Sequence, residues 1–291
     1  IDYIERKSGK PVLGLVPVYR DIAIDPEDSV AVQEDRRLRR PIGHDTLNVG
    51  VLRLPSISNF TDLEILDREP GVVLNYLFRP GELEDGYDLL VLPGAKNVME
   101  DAAWLSRTGW KRAVTDFANR GRRVLGICGG YQLLGHRIHD PFGVESDRSR
   151  VAALGLLPAE TVLAEDKVVQ RVTGTCLVNR KRVAGYEIHM GRTEPKGPGA
   201  RPLLRVHRPG SRVSWDDGLV SEDGRVLGTY VHGVLDAPGF RGDLLNTLRC
   251  EKGLKERAPR KGRLARFHQY DRLAAHFEAH CDVERILSLV S

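Results

Sequence analysis

The sequence is short of several things, and each shortage narrows the field. Its 291 residues hold four cysteines, Cys128, Cys176, Cys250 and Cys281, far apart and without a CxxC pair or a His/Cys spacing that would hold a metal. That scatter speaks against a disulfide framework and for free thiols in a reducing cytoplasm, and no metal is expected. No apolar run approaches the roughly eighteen residues of a membrane span, and no signal peptide is visible. Charge of one sign is also scarce. The 44 basic and 40 acidic residues leave a net +4, scattered rather than gathered into a nucleic-acid-binding stripe. The exception is EKGLKERAPRKGRLAR, Glu251 to Arg266, which reads as a solvated linker, with contact to an anionic ligand as the other reading. There is no internal repeat and no phosphate loop. Ser8-Gly9-Lys10-Pro11 comes nearest, but it lacks the upstream glycine and has Pro in place of Ser/Thr.

What remains is an ordinary globular composition, 41% hydrophobic and 29% charged, enough for one large domain or a medium one with appendages. KPVLGLVPV (Lys10–Val18) reads as a strand with Pro near both edges, followed by a polar loop over residues 21–41. LNVGVLRLP (Leu47–Pro55) is a second, central strand. In NFTDLEIL, Thr61 stands three residues before Glu64, the capping-box spacing of a helix start. GVVLNYLF and YDLLVLPG are apolar runs of buried parallel strands. Helical periodicity covers Val98 to Arg120, with a break near Gly109. Strands and helices in alternation predict an α/β fold, a doubly wound, mainly parallel sheet with flanking helices. After Gly143 a β-rich texture predicts a mixed or antiparallel extension. Arg225–Leu235 reads as a strand ending in His232-Gly233, a helix spans Gly239–Arg249, and one amphipathic C-terminal helix presents Leu273, Ala274, Phe277, Cys281 and Ile286 on one face.

One stretch carries chemistry. In GRRVLGICGGYQLLG, Gly126-Ile127-Cys128-Gly129-Gly130 has the G-x-nucleophile-x-G layout of a strand-to-helix elbow. A turn this sharp forces unusual dihedrals on the nucleophile and leaves no room for side chains beside it. The following helix N-terminus favours a thiolate, and the Gly129 N–H is placed to donate to a developing oxyanion. A structural cysteine in a glycine-rich turn would read the same from the pentapeptide alone. A thiolate needs a base, and His232, closing an apolar strand at the carboxyl edge of the sheet, is the candidate. Gly94, in the strand-ending LPGAKN, is the candidate second oxyanion donor. In GYEIHMG, Tyr186, Glu187 and His189 are costly on a buried strand unless satisfied. With Gln132 they are candidate substrate-binding residues, and a local hydrogen-bond network is the other reading.

These pieces, in this order, resemble the class I, triad-type glutamine amidotransferases, and among them the cobyric acid synthase family. RLPSISNFTDLEIL, DLLVLPGAKNVMEDAAWL, VLGICGGYQLLG, DPFGVES, LGLLPAETVL, GYEIHMGRT and GTYVHGVLD look like that family's blocks from about Leu47 to Arg249, and YDRLAAHFEAHCDVERIL looks like its C-terminal helix. The resemblance implies glutamine-dependent amidation of four carboxylates of a corrinoid, adenosylcobyrinic acid a,c-diamide, in cobalamin biosynthesis. Cys128 would be the nucleophile, His232 its acid/base partner, and Gly94 and Gly129 the oxyanion donors. It further implies a partner domain, N-terminal and ATP-binding, that uses ATP and Mg2+ and receives the ammonia. This chain itself would hold no cofactor.

Two departures qualify the match. Many class I enzymes carry Glu two residues after the histidine, whereas here the order is His232-Gly233-Val234, and the sequence does not choose a third member to orient the imidazole. The ATP-binding domain is missing, and the chain opens on Ile rather than Met. Residues 1–45 are therefore expected to be the residual end of that domain and a linker, 46–250 the amidotransferase domain, and 251–291 a basic linker and C-terminal helix. Three rivals stand beside this reading: cobyrinic acid a,c-diamide synthase, a stand-alone subunit that amidates the peptidoglycan stem peptide, and a non-catalytic binding module on the same fold. Intact Cys128 and His232 speak against the last.

Overall fold

The computed structural model describes residues 1–19, 39–59, 61–260 and 264–289, which form two compact units, Pro26–Arg260 and a smaller one of Ile1–Asp25 with Lys261–Ser291. The polar loop expected over 21–41 lies, up to residue 38, outside the described residues.

The larger unit is built on an eleven-stranded sheet. Its strands are β1 (Leu47–Leu52), β2 (Val72–Leu77), β3 (Leu89–Leu92), β4 (Arg123–Ile127), β5 (Arg137–His139), β6 (Arg150–Ala152), β7 (Ala159–Cys176), β8 (Arg182–Pro195), β9 (Ala200–His207), β10 (Ser214–Ser221) and β11 (Val226–Thr229). The order is β2-β1-β3-β4-β11-β10-β9-β7-β5-β6, with β8 paired to β7. The first five of these run parallel. β10, β9 and β7 continue antiparallel, β5 rejoins parallel to β7, and β6 ends the sheet antiparallel. The doubly wound parallel sheet with a mixed extension is thus the observed architecture.

Alternation along the parallel strands sends side chains into two cores. Leu47, Val49, Val51, Leu89, Val91, Leu125 and Ile127 face one core; Leu52, Leu90, Leu92 and Val124 face the other. Burying each such side chain contributes about 1.5–3 kcal/mol, which is why these runs read as continuous apolar segments. Helix α1 (Thr61–Asp67) and α5 (Pro238–Glu251) cover the first core with Leu63, Leu66, Phe240, Leu244 and Leu248. Helices α2 (Val98–Arg107), α3 (Trp110–Asn119) and α4 (Gly129–Leu134) cover the second with Met99, Leu105, Trp110, Phe117 and Leu133. The break between α2 and α3 falls at Gly109, whose φ of 84° suits glycine.

Some expectations are corrected. Lys10–Val18 is not a strand: Gly14 alone bridges to Cys281, and Pro11 and Pro17 remove two ladder donors from the segment. The strand expected over Arg225–Leu235 stops at Thr229, and Val234–Asp236 is a 3-10 turn. The C-terminal helix is two helices, Leu264–His280 and Val283–Ser288, because the Asp282 side chain accepts from the Arg285 N–H at 3.1 Å and starts a new one. Its expected apolar face is not buried, since Phe277 is 45% and Ile286 40% exposed. Gly9, in the false phosphate-loop string, is the left-handed C-cap of helix Asp2–Ser8. Over its described residues 251–260 the basic run is exposed at most positions but not free of the domain. Glu251 pairs with Arg123 at 2.9 Å, and the Arg260 N–H donates to Glu69 at 3.0 Å.

Candidate active site

The carboxyl ends of the parallel strands converge on one point, where open α/β sheets place their ligands. β4 delivers Cys128, which leaves the strand at φ 53°, ψ −111°, a region that costs a non-glycine residue about 1–3 kcal/mol. The surroundings impose it. The Cys128 N–H is held by the Thr229 carbonyl at 2.8 Å, and α4 starts at the next residue. A Cβ on Gly130 would lie 2.0 Å from the Leu92 carbonyl oxygen, and one on Gly126 2.6 Å from that of Gly130. Only glycine lets the returning helix pass this close. The thiol is buried and donates to the Ile188 carbonyl at 3.4 Å.

His232 lies three residues beyond β11, in a two-way backbone bridge with Tyr186 of β8. Its ring is fully buried and stacked on Tyr186, with centroids 5.1 Å apart. Nδ1 meets Asp62 Oδ2 at 2.6 Å, and Asp62 Oδ1 accepts from the Gly233 N–H at 2.7 Å. Burial alone would lower the imidazole pKa. The hydrogen bond to Asp62, then that to Cys128 and the charges of both groups, outweigh burial and raise it to about 10. Asp62 is therefore the orienting third member that the sequence does not choose. It sits in the first turn of α1, where an acid reads as ordinary helix-end chemistry. Asn59, at the mouth of the same helix, brings Nδ2 to 3.2 Å from His232 Nε2, and sequence reasoning missed it too.

The two glycines named for the oxyanion are at this point. A Cβ on Gly94 would stand 3.2 Å from His232 Cε1, and one on Gly129 2.9 Å from the Ala95 nitrogen. Among the described residues, neither N–H has a hydrogen-bond partner. The loop carrying Gly94 is fixed by its carbonyl, which accepts from the Ser58 N–H at 2.8 Å. Beyond it Glu145, in DPFGVES, accepts from the Val98 and Met99 N–H groups at the start of α2. That block caps a helix and does not reach the thiol.

The substrate candidates separate by strand alternation. Tyr186 stacks on the imidazole, while Glu187 and His189 line a cavity of about 640 Å³ shared with Tyr131, Trp215 and Asp217. Glu187 accepts from Gln170 and from Trp215 Nε1. His189 stacks on Tyr230 at 3.8 Å, and burial lowers it to about 4, leaving it neutral at pH 7. Gln132 is buried, donating to the Met190 carbonyl and the Tyr230 hydroxyl at 3.2 Å each. Asp217 is also buried, and burial raises it to about 7.

Comparisons with known proteins place the chain in a family. A family model described as the CobB/CobQ-like glutamine amidotransferase domain matches residues 48–240. The chain belongs to that family. It is 43% identical to a cobyric acid synthase of Syntrophobacter fumaroxidans and 42% identical to one of Chlorobaculum tepidum, over 100% and 99% of its own length but 58% and 56% of theirs. The chain thus spans little more than half of the curated relatives it matches. A solved structure of PurLQS from Thermotoga maritima superposes with a TM-score of 0.53 at 19% identity, covering 70% of this chain and 99% of that one, a likeness of fold. The Cys128 turn and His232 both lie within the matched residues. Among the described residues, no group of three or more His, Cys, Asp or Glu is placed to hold a metal ion, and no helix is long and apolar enough to cross a membrane.

Proposed function

We propose that this chain is the glutaminase portion of a cobyric acid synthase. It releases ammonia from glutamine for amidation of the b, d, e and g carboxylates of adenosylcobyrinic acid a,c-diamide. The observation that carries the chemistry is Cys128 on a strained elbow beside a buried imidazole whose far nitrogen is held by a carboxylate. The relatives that align along the whole chain support the corrinoid substrate. In this reading activation of the carboxylate by ATP and Mg2+ falls to a partner domain outside this chain. The four cysteines are free thiols in the described residues, which supports a cytoplasmic setting.

In this reading His232 takes the thiol proton and the Cys128 thiolate attacks the glutamine carboxamide carbon. The tetrahedral oxygen takes the negative charge and is met by the N–H groups of Gly94 and Gly129. The C–N bond breaks as His232 Nε2 returns its proton to the leaving nitrogen, giving ammonia and a γ-glutamyl thioester. Water, deprotonated by the same imidazole, cleaves the thioester to glutamate and restores the thiol. Asp62 keeps the ring turned toward the sulfur and stabilises the imidazolium.

A diazo-ketone analogue of glutamine tests this by mass spectrometry of the intact chain and its peptides. One adduct at Cys128, formed at least about 100-fold more slowly in His232→Ala, is expected for an acid–base partner. No adduct, with Cys128 still open to iodoacetamide, would refute glutamine recognition and favour a binding module.

A further inference from the structure

Asn59 stands on the loop between β1 and α1 at φ 55°, a left-handed conformation that asparagine tolerates better than most residues. Two backbone bonds hold the loop to the Gly94 side of the site, Ser58 N–H to the Gly94 carbonyl at 2.8 Å and Lys96 N–H to the Ser56 carbonyl at 2.9 Å. Its carboxamide is thereby set 3.2 Å from His232 Nε2. That nitrogen is the one that must exchange protons with the sulfur and the leaving group, because Nδ1 is taken by Asp62. A carboxamide is the one short side chain with a donor end and an acceptor end. The Nδ2–H end suits the neutral ring, whose Nε2 carries a lone pair. The Oδ1 end suits the imidazolium, whose Nε2–H donates. A half turn about the Cβ–Cγ bond exchanges the two ends without moving the backbone. A leucine would serve neither state, and a carboxylate only the protonated one.

We propose that Asn59 is a positioning residue for His232, its carboxamide holding Nε2 in both protonation states as Asp62 holds Nδ1. The ring is then clamped at both nitrogens, from one loop-and-helix segment, through the whole proton cycle. This rests on the glutaminase reading above for the identity of the reaction, but not for the contact. Among the described residues, the other titratable groups near the ring are Asp62 from α1, Cys128 from the elbow, Tyr186 and His189 from β8, and Asp236 close to Gly233. Among the described residues, Asn59 stands against Nε2, and the ring is also hydrogen-bonded to Cys128.

Asn59→Gly and Asn59→Asp both tolerate the left-handed backbone, so their effects report the side chain. Two rates are read for each: alkylation of Cys128 by iodoacetamide at pH 7, and glutamine hydrolysis. Asn59→Gly should slow both about tenfold, the worth of one hydrogen bond to a charged group. Asn59→Asp should alkylate at least as fast as the parent, since a negative charge beside Nε2 favours the imidazolium and with it the thiolate. Its glutamine kcat should nevertheless fall about tenfold with KM within about twofold, because an imidazolium held by a carboxylate releases its proton less readily. A purely structural residue would move the two rates together. If Asn59→Asp slows alkylation as much as Asn59→Gly, or neither variant differs from the parent, the assignment is overturned. A parent and variants that alkylate in the expected pattern but hydrolyse no glutamine would refute the reaction and leave the role of Asn59 standing.

Discussion

Asp62→Asn exchanges an oxygen for a nitrogen without altering shape, and the structure says why that should be severe. The carboxylate accepts twice, from His232 Nδ1 at 2.6 Å and from the Gly233 N–H at 2.7 Å. A backbone donor cannot reverse. If the new amide turns its oxygen to Gly233, its NH2 faces Nδ1 and forces the ring proton onto Nε2, where the imidazole can no longer receive one from the thiol. If it turns the other way, two donors meet in a buried site, at a cost of about 1–3 kcal/mol. The lost charge adds to this. The side chains are 0% and 4% exposed, so solvent screens little, and an ion pair at about 4 Å with an effective dielectric of 20 is worth about 4 kcal/mol. At 1.36 kcal/mol per tenfold this is about a thousandfold in rate. Glutamate release at saturating glutamine should therefore show kcat reduced about a thousandfold with KM changed by less than about threefold, as expected for an interaction made in the transition state. The pH dependence of stability gives a second reading. His232 is raised to about 10, so its pairing adds stability that is fully present below the unfolded value near 6.5 and is lost as pH rises through about 10. The variant should lack that slope. A loss of less than about tenfold in kcat, with the alkaline slope intact, would refute the orienting role.

Other sites make separate predictions. Gly130→Ala places a methyl group 2.0 Å from the Leu92 carbonyl oxygen, backbone against backbone. It should destabilise the fold by about 3 kcal/mol or more and dull the reactivity of Cys128; an unchanged thermal midpoint would contradict the elbow geometry. Burial raises Asp217 to about 7, so the native state holds a proton that the unfolded chain gives up. Its contribution to stability is present below the unfolded value near 4 and is lost as pH rises through about 7. Asp217→Asn should remove that decline, seen as a difference on the order of 2 kcal/mol between denaturant unfolding at pH 5 and pH 8. Parallel pH profiles for the two proteins would show that the carboxyl is not buried as described.

The parts of the fold legible in the sequence are those whose cause is local. LNVGVL and DLLVL are apolar at every position but one because both faces of a parallel strand are covered. The G-x-C-x-G spacing is legible because two backbone contacts forbid a Cβ on each side of the thiol. The misses have non-local causes. Asp62 and Asn59 matter only because the chain brings them to a residue 170 and 173 positions away. Within NFTDLEIL they read as ordinary helix-entry residues. The segment Lys10–Val18 has strand composition but only a single bridging residue, Gly14, and composition does not report a partner. The apolar run predicts His232 at a strand end, yet the ladder stops at Thr229, and what fixes the histidine is its bridge to Tyr186, which periodicity alone does not align. Gln132, Glu187 and His189 stand out in the sequence by residue type alone, whereas their hydrogen-bond and stacking partners come from β7, β8, β10 and the turn after β11.

The long sequence separation of the acid–base partners has a consequence during synthesis. Cys128 leaves the ribosome about a hundred residues ahead of the histidine proposed to activate it, an interval of roughly 5–20 s at ordinary elongation rates. Until His232 emerges and docks between Tyr186 and Asp62, the thiol is a plain cysteine with no ring to take its proton. On the proposed chemistry the nascent chain is therefore quiet, and the competence to split an amide would arrive in one step with the last strand of the parallel sheet.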